Sequence, residues 1–221
     1  MTQLNPQTLK FLSSIKKNNN RPWFEKNKPT YEAIKNDMIA FMAALIKEVS
    51  KFDPAVKDAD PKKSVMRIYR DIRFSKDKSP YKTNIGAGIS SGKITESSAG
   101  YYIHIMPGES FLGGGIWMPE ADKLQKIRQE IDYNFKDFKK IVESKSFKKT
   151  FGSLDRNEKL TRPPKNYSPD NPAIEYLMLK SFTCGCKISD ADVLSDKLVK
   201  KCASVFKEMY PFVKFLNQAV G

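Results

Sequence analysis

Cysteine and histidine are scarce in this chain, and their scarcity argues against several kinds of site. The three cysteines, Cys184, Cys186 and Cys202, form an odd and sparse set, which predicts no disulfide framework. Cys184 and Cys186 form a C-x-C pair without a second pair, so a structural zinc site with four spaced ligands is not expected. The one histidine, His104, lies in the apolar stretch 101–105, and we interpret it as a sheet residue rather than a catalytic base.

Long apolar runs are also missing. No stretch approaches the ~18 consecutive apolar residues that a membrane span requires. Residues 1–5 do not form the basic and then apolar region of a secretory signal. Together with the sparse cysteines, these absences predict a cytoplasmic protein that does not enter a membrane.

Acidic residues are few relative to basic ones. The chain has 39 Lys and Arg against 25 Asp and Glu, a net charge of +14 in 221 residues. The excess lies mainly in two blocks, residues 61–82 and 121–165, each with a charge of +6, whereas residues 83–120 carry −2. This distribution favours nucleic acid or an anionic small molecule as the partner, although a lysine-rich surface also serves solubility.

Familiar cofactor and nucleic-acid motifs are absent from the sequence. Gly86-x-Gly88 and the triple glycine 113–115 lack the continuation that defines phosphate-binding loops. There is no RNP-like strand, zinc finger or helix-turn-helix pattern. We therefore predict no metal and no cofactor, and the sequence leaves the oligomeric state open.

The hydrophobic pattern changes its period along the chain. Apolar residues recur every three or four positions over residues 31–52 and 199–216, which predicts long amphipathic helices towards both ends. Runs rich in valine, isoleucine and small residues predict strands at 64–70, 84–90, 101–106, 111–117 and 180–188. The order favours one α+β domain over residues 1–221, with a mainly antiparallel sheet of about four to five strands covered by N- and C-terminal helices.

Prolines and capping residues predict where helices begin and end. Residues 23–24 should open only a short helical turn, because Pro29 would interrupt it. Pro211 should kink or divide the last helix for the same reason. Ser189 and Asp192 resemble a capping box, with aspartate in the place of the usual glutamate or glutamine.

The most informative stretch is residues 67–81, which we term the basic segment. It holds five cations, two carboxylates and three aromatic residues, interleaved with apolar positions that favour an ordered structure. Arginine binds carboxylate or phosphate in a two-pronged geometry, so the segment predicts a site for an anion. The candidate ligand-binding residues in or beside it are Arg67, Arg70, Arg73, Lys78, Tyr81 and Lys82.

If residues 64–74 were extended, Arg70 would lie on their apolar face. A buried arginine is tolerated only when it is paired and hydrogen-bonded. We therefore expect Arg70 either to bind an anion in the floor of a pocket or to form an internal ion pair, with Glu25 and Glu32 as candidate partners. The aromatic residues near the basic blocks either stack on nucleic-acid bases or belong to the core; they are Trp23, Phe24, Tyr69, Phe74 and Tyr81.

The basic segment also carries the pattern R-x-x-R-D-x-R-F-x-x-D-K-x-x-Y. This pattern resembles the signature of a bacterial and fungal family called domain of unknown function 2461. The pattern N-N-x-R-x-W-F-x-x-N-K-x-x-Y-E at residues 18–32, and residues 113–117 and 162–167, are similar to the family as well. The resemblance implies a single domain along almost the full length, and implies no activity, cofactor or catalytic residue.

Two positions depart from that family pattern. The family usually has glycine where this chain has Asn166, and histidine where it has Asn171. The resemblance therefore does not imply a histidine-dependent role for position 171 in this chain.

Three hypotheses for function follow from these patterns. In the first, the basic segment binds a phosphate-bearing molecule or nucleic acid. In the second, the protein is a hydrolase or transferase in which Asp71 or Asp77 acts as the base; this needs a perturbed carboxylate in a concave pocket. In the third, it is an interaction protein, whose sign would be an exposed apolar patch ringed by Lys136, Lys139 and Lys140.

Overall fold

The computed structural model describes residues 3–91 and 98–221, and about half of the chain is helical. The helices are α1 (Gln7–Lys17), α2 (Arg21–Val49), α3 (Pro61–Ser64), α4 (Ala121–Tyr133), α5 (Phe135–Val142), α6 (Lys145–Phe151), α7 (Ile174–Leu177), α8 (Asp190–Val193) and α9 (Leu198–Val220). The strands are β1 (Ile85–Ser90), β2 (Gly100–Ile105), β3 (Phe111–Ile116) and β4 (Phe182–Lys187). Among the described residues, no helix is long and apolar enough to cross a membrane.

The strands form one antiparallel sheet in the order β1-β2-β3-β4. Side chains alternate between its faces, so Tyr101 and Ile103 of β2 are buried while Tyr102 and His104 are half-buried. The α+β class and the mainly antiparallel sheet are confirmed, with four strands.

The strand predicted over residues 64–70 is wrong. Asp60 caps α3 through its side chain, so the chain is still helical at Ser64. The residues that follow make isolated bridges instead of a ladder, and one of these bridges joins Tyr69 to Tyr81. The basic segment is therefore a loop beside the sheet rather than a fifth strand.

Helix α9 lies on the core face of the sheet and packs against β3 and α2. Its close approach depends on Gly114, where a Cβ atom would lie 2.3 Å from Met209 Sδ and 2.5 Å from the carbonyl oxygen of Gly100. Deeper in the core, the Tyr101 hydroxyl donates a 2.8 Å hydrogen bond to the buried carboxylate of Asp53. This bond ties the sheet to the end of α2.

Pro29 and Pro211 both lie inside continuous helices, so Pro29 does not interrupt its helix and Pro211 does not divide the last one. Helix α2 runs from Arg21 to Val49 through Pro29, and α9 runs from Leu198 to Val220 through Pro211. A proline in a helix interior costs about 3 kcal/mol. Both helices bury an apolar face along their length, at about 1.5–3 kcal/mol for each large side chain, which offsets that cost. The predicted short turn at residues 23–24 is thus the first turn of α2.

The capping box at Ser189 and Asp192 is confirmed. The Ser189 hydroxyl accepts from the Asp192 N–H at 3.1 Å, and the Asp192 carboxylate accepts from the Ser189 N–H at 3.0 Å. It starts the short helix α8, and α9 follows at Leu198.

Candidate anion-binding cleft

The basic segment folds as a loop closed at its neck by two backbone hydrogen bonds. The N–H of Arg70 donates to the carbonyl of Pro80 at 2.9 Å, and the N–H of Lys82 donates to the carbonyl of Ile68 at 2.7 Å. Pro80 has no N–H to return, so regular pairing stops there and residues 71–79 form the tip of the loop.

Arg70 holds the tip together from inside the loop. Its guanidinium pairs with Asp77 and donates to the carbonyl of Ser79 at 3.2 Å. The side chain is only 26% exposed, and no described ion pair joins it to Glu25 or Glu32. The predicted pairing with either glutamate is therefore wrong, because the partner comes from the same loop, seven residues away.

Both carboxylates of the loop are engaged by neighbouring donors. The Arg73 guanidinium donates two hydrogen bonds to the Asp71 carboxylate, at 3.0 and 2.7 Å. These bonds hold the pKa of that carboxyl below its usual range. Hydrogen bonds from Ser79, together with Arg70, lower the pKa of Asp77 to about 2. A carboxylate stabilised in its charged form is a weak base at neutral pH. A general base at neutral pH would need an unpaired carboxylate with a raised pKa, and neither Asp71 nor Asp77 is one.

An open cleft of about 370 Å³ lies between this loop, the end of α1 and the start of β1. Three cationic side chains and one carboxylate line it, together with neutral hydrogen-bonding groups. The lining residues are Lys16, Asn19, Arg70, Asp77, Ser79, Tyr81, Lys82, Thr83 and Asn84. The cleft is therefore polar and carries a net positive charge.

Asn19 joins the linker between α1 and α2 to the basic segment. Its side-chain amide donates to the carbonyl of Tyr81 at 2.9 Å, and its oxygen accepts from the Tyr81 N–H at 3.0 Å. The Tyr81 ring is buried and stacks on Phe24, with centroids 4.1 Å apart. The ring thus anchors the backbone from the core side while Asn19 holds it from the cleft side.

Lys82 follows this anchored residue and is half-buried. Burial lowers the pKa of its ammonium group, and the positive charge of Arg67 lowers it further. No described carboxylate forms an ion pair with Lys82. It is a partly desolvated cation at the wall of a cleft whose one carboxylate among the described residues, Asp77, is paired with Arg70.

The candidate residues predicted from sequence separate into two groups. Those that line the cleft are Arg70, Tyr81 and Lys82. Arg73 is turned towards Asp71, and the Lys78 ammonium donates to the carbonyl of Ile72 at 3.1 Å, so both side chains serve the tip of the loop. Arg67 is exposed and acts on Lys82 through its charge.

Five residues of the cleft were not predicted as site residues: Lys16, Asn19, Ser79, Thr83 and Asn84. The run 18–20 has the pattern of a helix break, and it is one, but Asn19 also uses its side chain across 62 positions of sequence. The sequence signal for this role is that Asn19 belongs to the family-like pattern at residues 18–32. Local propensity accounts for the helix break but does not account for this long-range contact.

His104 adjoins the cleft through Asn84. The Asn84 amide lies 3.4 Å from His104 Nδ1, and the Tyr102 hydroxyl lies 3.2 Å from the same atom. Burial lowers the pKa of His104. These contacts agree with the interpretation of His104 as a satisfied sheet residue.

All three cysteines are free thiols, and the described residues contain no cluster able to hold a metal ion.

An exposed apolar patch near the lysines of α5 would favour the interaction hypothesis. The apolar residues Phe138 and Val142 of this helix are buried. Phe135 is half-buried and has the Lys139 ammonium 6.0 Å from its ring centroid. What remains exposed nearby is Tyr133, so this surface gives the interaction hypothesis little support.

Comparison with known proteins gives one match. A family model described as "Conserved hypothetical protein (DUF2461)" matches residues 7–215, which is nearly the whole chain and includes every residue of the cleft. No curated protein and no solved structure matches the chain.

Proposed function

We propose that this chain, which belongs to the DUF2461 family of conserved hypothetical proteins, binds a phosphate-bearing anionic ligand in the cleft beside Lys82. The observation that carries the proposal is the partly desolvated ammonium of Lys82, which has no ion-pair partner among the described residues and lines the same cleft as Lys16 and Arg70. A bound anion would supply the missing counter-charge.

In this proposal the residues of the cleft have different roles in binding the anion. Lys82 and Lys16 contact the anion directly, since neither has a carboxylate partner among the described residues. Arg70 stays paired with Asp77 and contributes positive charge while it shapes the wall. Thr83 and Asn84 line the same cleft with neutral side chains of a kind that can donate hydrogen bonds to phosphate oxygens. The exposed cations of the loop raise the local anion concentration by long-range attraction.

The lowered pKa of Lys82 makes binding sensitive to pH. A bound anion favours the charged ammonium, so its pKa rises on binding. At pH values where the phosphate keeps its charge, affinity should therefore fall as pH rises through the pKa of Lys82 in the free cleft.

The test is a titration with inorganic pyrophosphate at constant ionic strength, followed by amide NMR shifts. We expect shifts concentrated at residues 16–19 and 81–84, and a loss of affinity of about tenfold or more in Lys82→Ala, because a hydrogen bond to a charged group is lost. Lys10→Ala is the matched control, since Lys10 is an exposed cation on α1 that does not line the cleft.

Two results would contradict the proposal. One is a set of shifts spread evenly over the basic surface. The other is equal loss of affinity in Lys82→Ala and Lys10→Ala, which would mean that pyrophosphate responds only to net charge.

A further inference from the structure

Phe74 is the most exposed large apolar side chain among the described residues, at 95%. The other aromatic candidates for base stacking belong wholly or partly to the core. Phe24 and Tyr81 are buried, Trp23 is half-buried, and Tyr69 packs edge-on against Phe24. Elsewhere among the described residues the rings of Trp117 and Tyr133 are also exposed, at 75% and 74%, but within the basic segment Phe74 has the most exposed ring.

The residues on either side of Phe74 are held within the loop by hydrogen bonds. Arg73, fixed by its two hydrogen bonds to Asp71, places its guanidinium carbon 5.8 Å from the centroid of the Phe74 ring. Lys78 closes the tip by its bond to the carbonyl of Ile72. A phenylalanine side chain has only two rotatable torsions, so stacking a partner on it costs little conformational entropy.

Phe74 belongs to the loop whose residues Arg70, Asp77 and Ser79 line the cleft. The hydroxyl of its neighbour Ser75 lies 3.4 Å from Nη2 of Arg70, the arginine of the cleft wall. One short loop therefore carries both an exposed ring and part of a cationic site. The surrounding block, residues 61–82, has a net charge of +6.

We infer that the ligand is single-stranded nucleic acid, with one base stacked on Phe74 and a backbone phosphate in the cleft. This inference rests on the anion site proposed above. Stacking on an aromatic ring needs an unstacked base, which a single strand offers and a duplex does not. One exposed ring in a strongly basic loop suits a base better than a membrane, because insertion into a bilayer depends on a larger buried apolar area.

The test compares binding of a fluorescein-labelled 20-nucleotide single strand with its duplex, by anisotropy at several salt concentrations. Phe74→Ala should weaken single-strand binding about tenfold and leave duplex binding unchanged. The dependence of affinity on salt should keep its slope, because the ring neutralises no phosphate. Phe74→Trp should bind at least as well as wild type. Tyr133→Ala removes another exposed ring, 74% exposed, and should change nothing.

The outcomes separate this inference from the anion site on which it rests. If Phe74→Ala binds the single strand as wild type does while Lys82→Ala weakens pyrophosphate binding, the inference is overturned and the cleft stands. If Lys82→Ala changes neither ligand, both fail. Binding to vesicles containing phosphatidylserine that depends on Phe74, without binding to the oligonucleotide, would also overturn the inference in favour of a membrane surface. Because Phe74 is exposed, equal thermal melting of the variants should verify that they fold.

Discussion

The hydrogen bonds between Asn19 and Tyr81 should both stabilise the protein and position the cleft. Asn19→Ala removes the 2.9 Å bond to the Tyr81 carbonyl and the 3.0 Å bond from its N–H, and puts no polar group in their place. A hydrogen bond of this kind contributes about 1 kcal/mol net. The two together predict a loss of about 2 kcal/mol in the free energy of unfolding, or about 4–8 °C in the melting temperature of a chain of this size.

The neighbouring residue provides the control. Asn18 makes one exposed hydrogen bond, from its side chain to the carbonyl of Ser14 at 3.0 Å, within its own helix turn. Asn18→Ala should therefore change stability by less than about 0.5 kcal/mol. Urea unfolding followed by circular dichroism measures both variants, and the slope with denaturant should match that of wild type.

A second measurement tests the positional role of Asn19. Pyrophosphate affinity should fall in Asn19→Ala at a temperature where the variant is fully folded, because the backbone that carries Lys82 loses its anchor on the cleft side. If the two asparagine variants are equally stable, the reasoning about these hydrogen bonds is refuted. If Asn19→Ala is less stable but binds as wild type does, Asn19 supports the fold without positioning the site.

Two further predictions concern the core and the loop. Tyr101→Phe leaves the buried Asp53 carboxylate without its 2.8 Å donor, so we expect a loss of about 1.5–3 kcal/mol in urea unfolding; a change below about 0.5 kcal/mol would contradict this. Ser79 and Arg70 lower the pKa of Asp77 from 3.8 to about 2, so its contribution to stability is complete above about pH 4 and disappears as pH falls through about 2. Asp77→Asn should therefore lose less stability than wild type over that interval, measured by unfolding at each pH, and parallel profiles would exclude the effect.

The patterns that succeeded are those that depend on neighbours close in sequence. Strand β2 follows the alternation of residues 101–106, and the turn after it contains Gly108 in a positive-φ conformation, as a hairpin turn predicts. The capping box at Ser189 forms because all its donors and acceptors lie within four residues. Asn166 has a φ of 74°, a conformation that asparagine tolerates, at the position where the family pattern has glycine.

The failures occur where distant parts of the chain meet. Pro29 and Pro211 are strong local breakers, yet burial along α2 and α9 keeps both helices continuous. Glu25 and Glu32 are only candidate partners of Arg70 in sequence, and the folded loop turns back and supplies Asp77 instead. The apolar pattern of residues 64–70 predicts a strand, but the cap of α3 and Pro80 leave these residues with isolated bridges and no regular ladder.

The sequence by itself determined the class of fold, the location of the basic segment and the absence of familiar cofactor motifs, because these depend on composition, periodicity and local spacing. Only the tertiary structure decided which cations share a cleft. Lys16 and Lys82 are far apart in the chain and come together because Asn19 binds the backbone of Tyr81. Arg73 and Lys78, close to Lys82 in sequence, are directed into the loop by Asp71 and the carbonyl of Ile72. Which charges remain unpaired is a property of three-dimensional packing, and that property distinguishes a binding site from a basic surface.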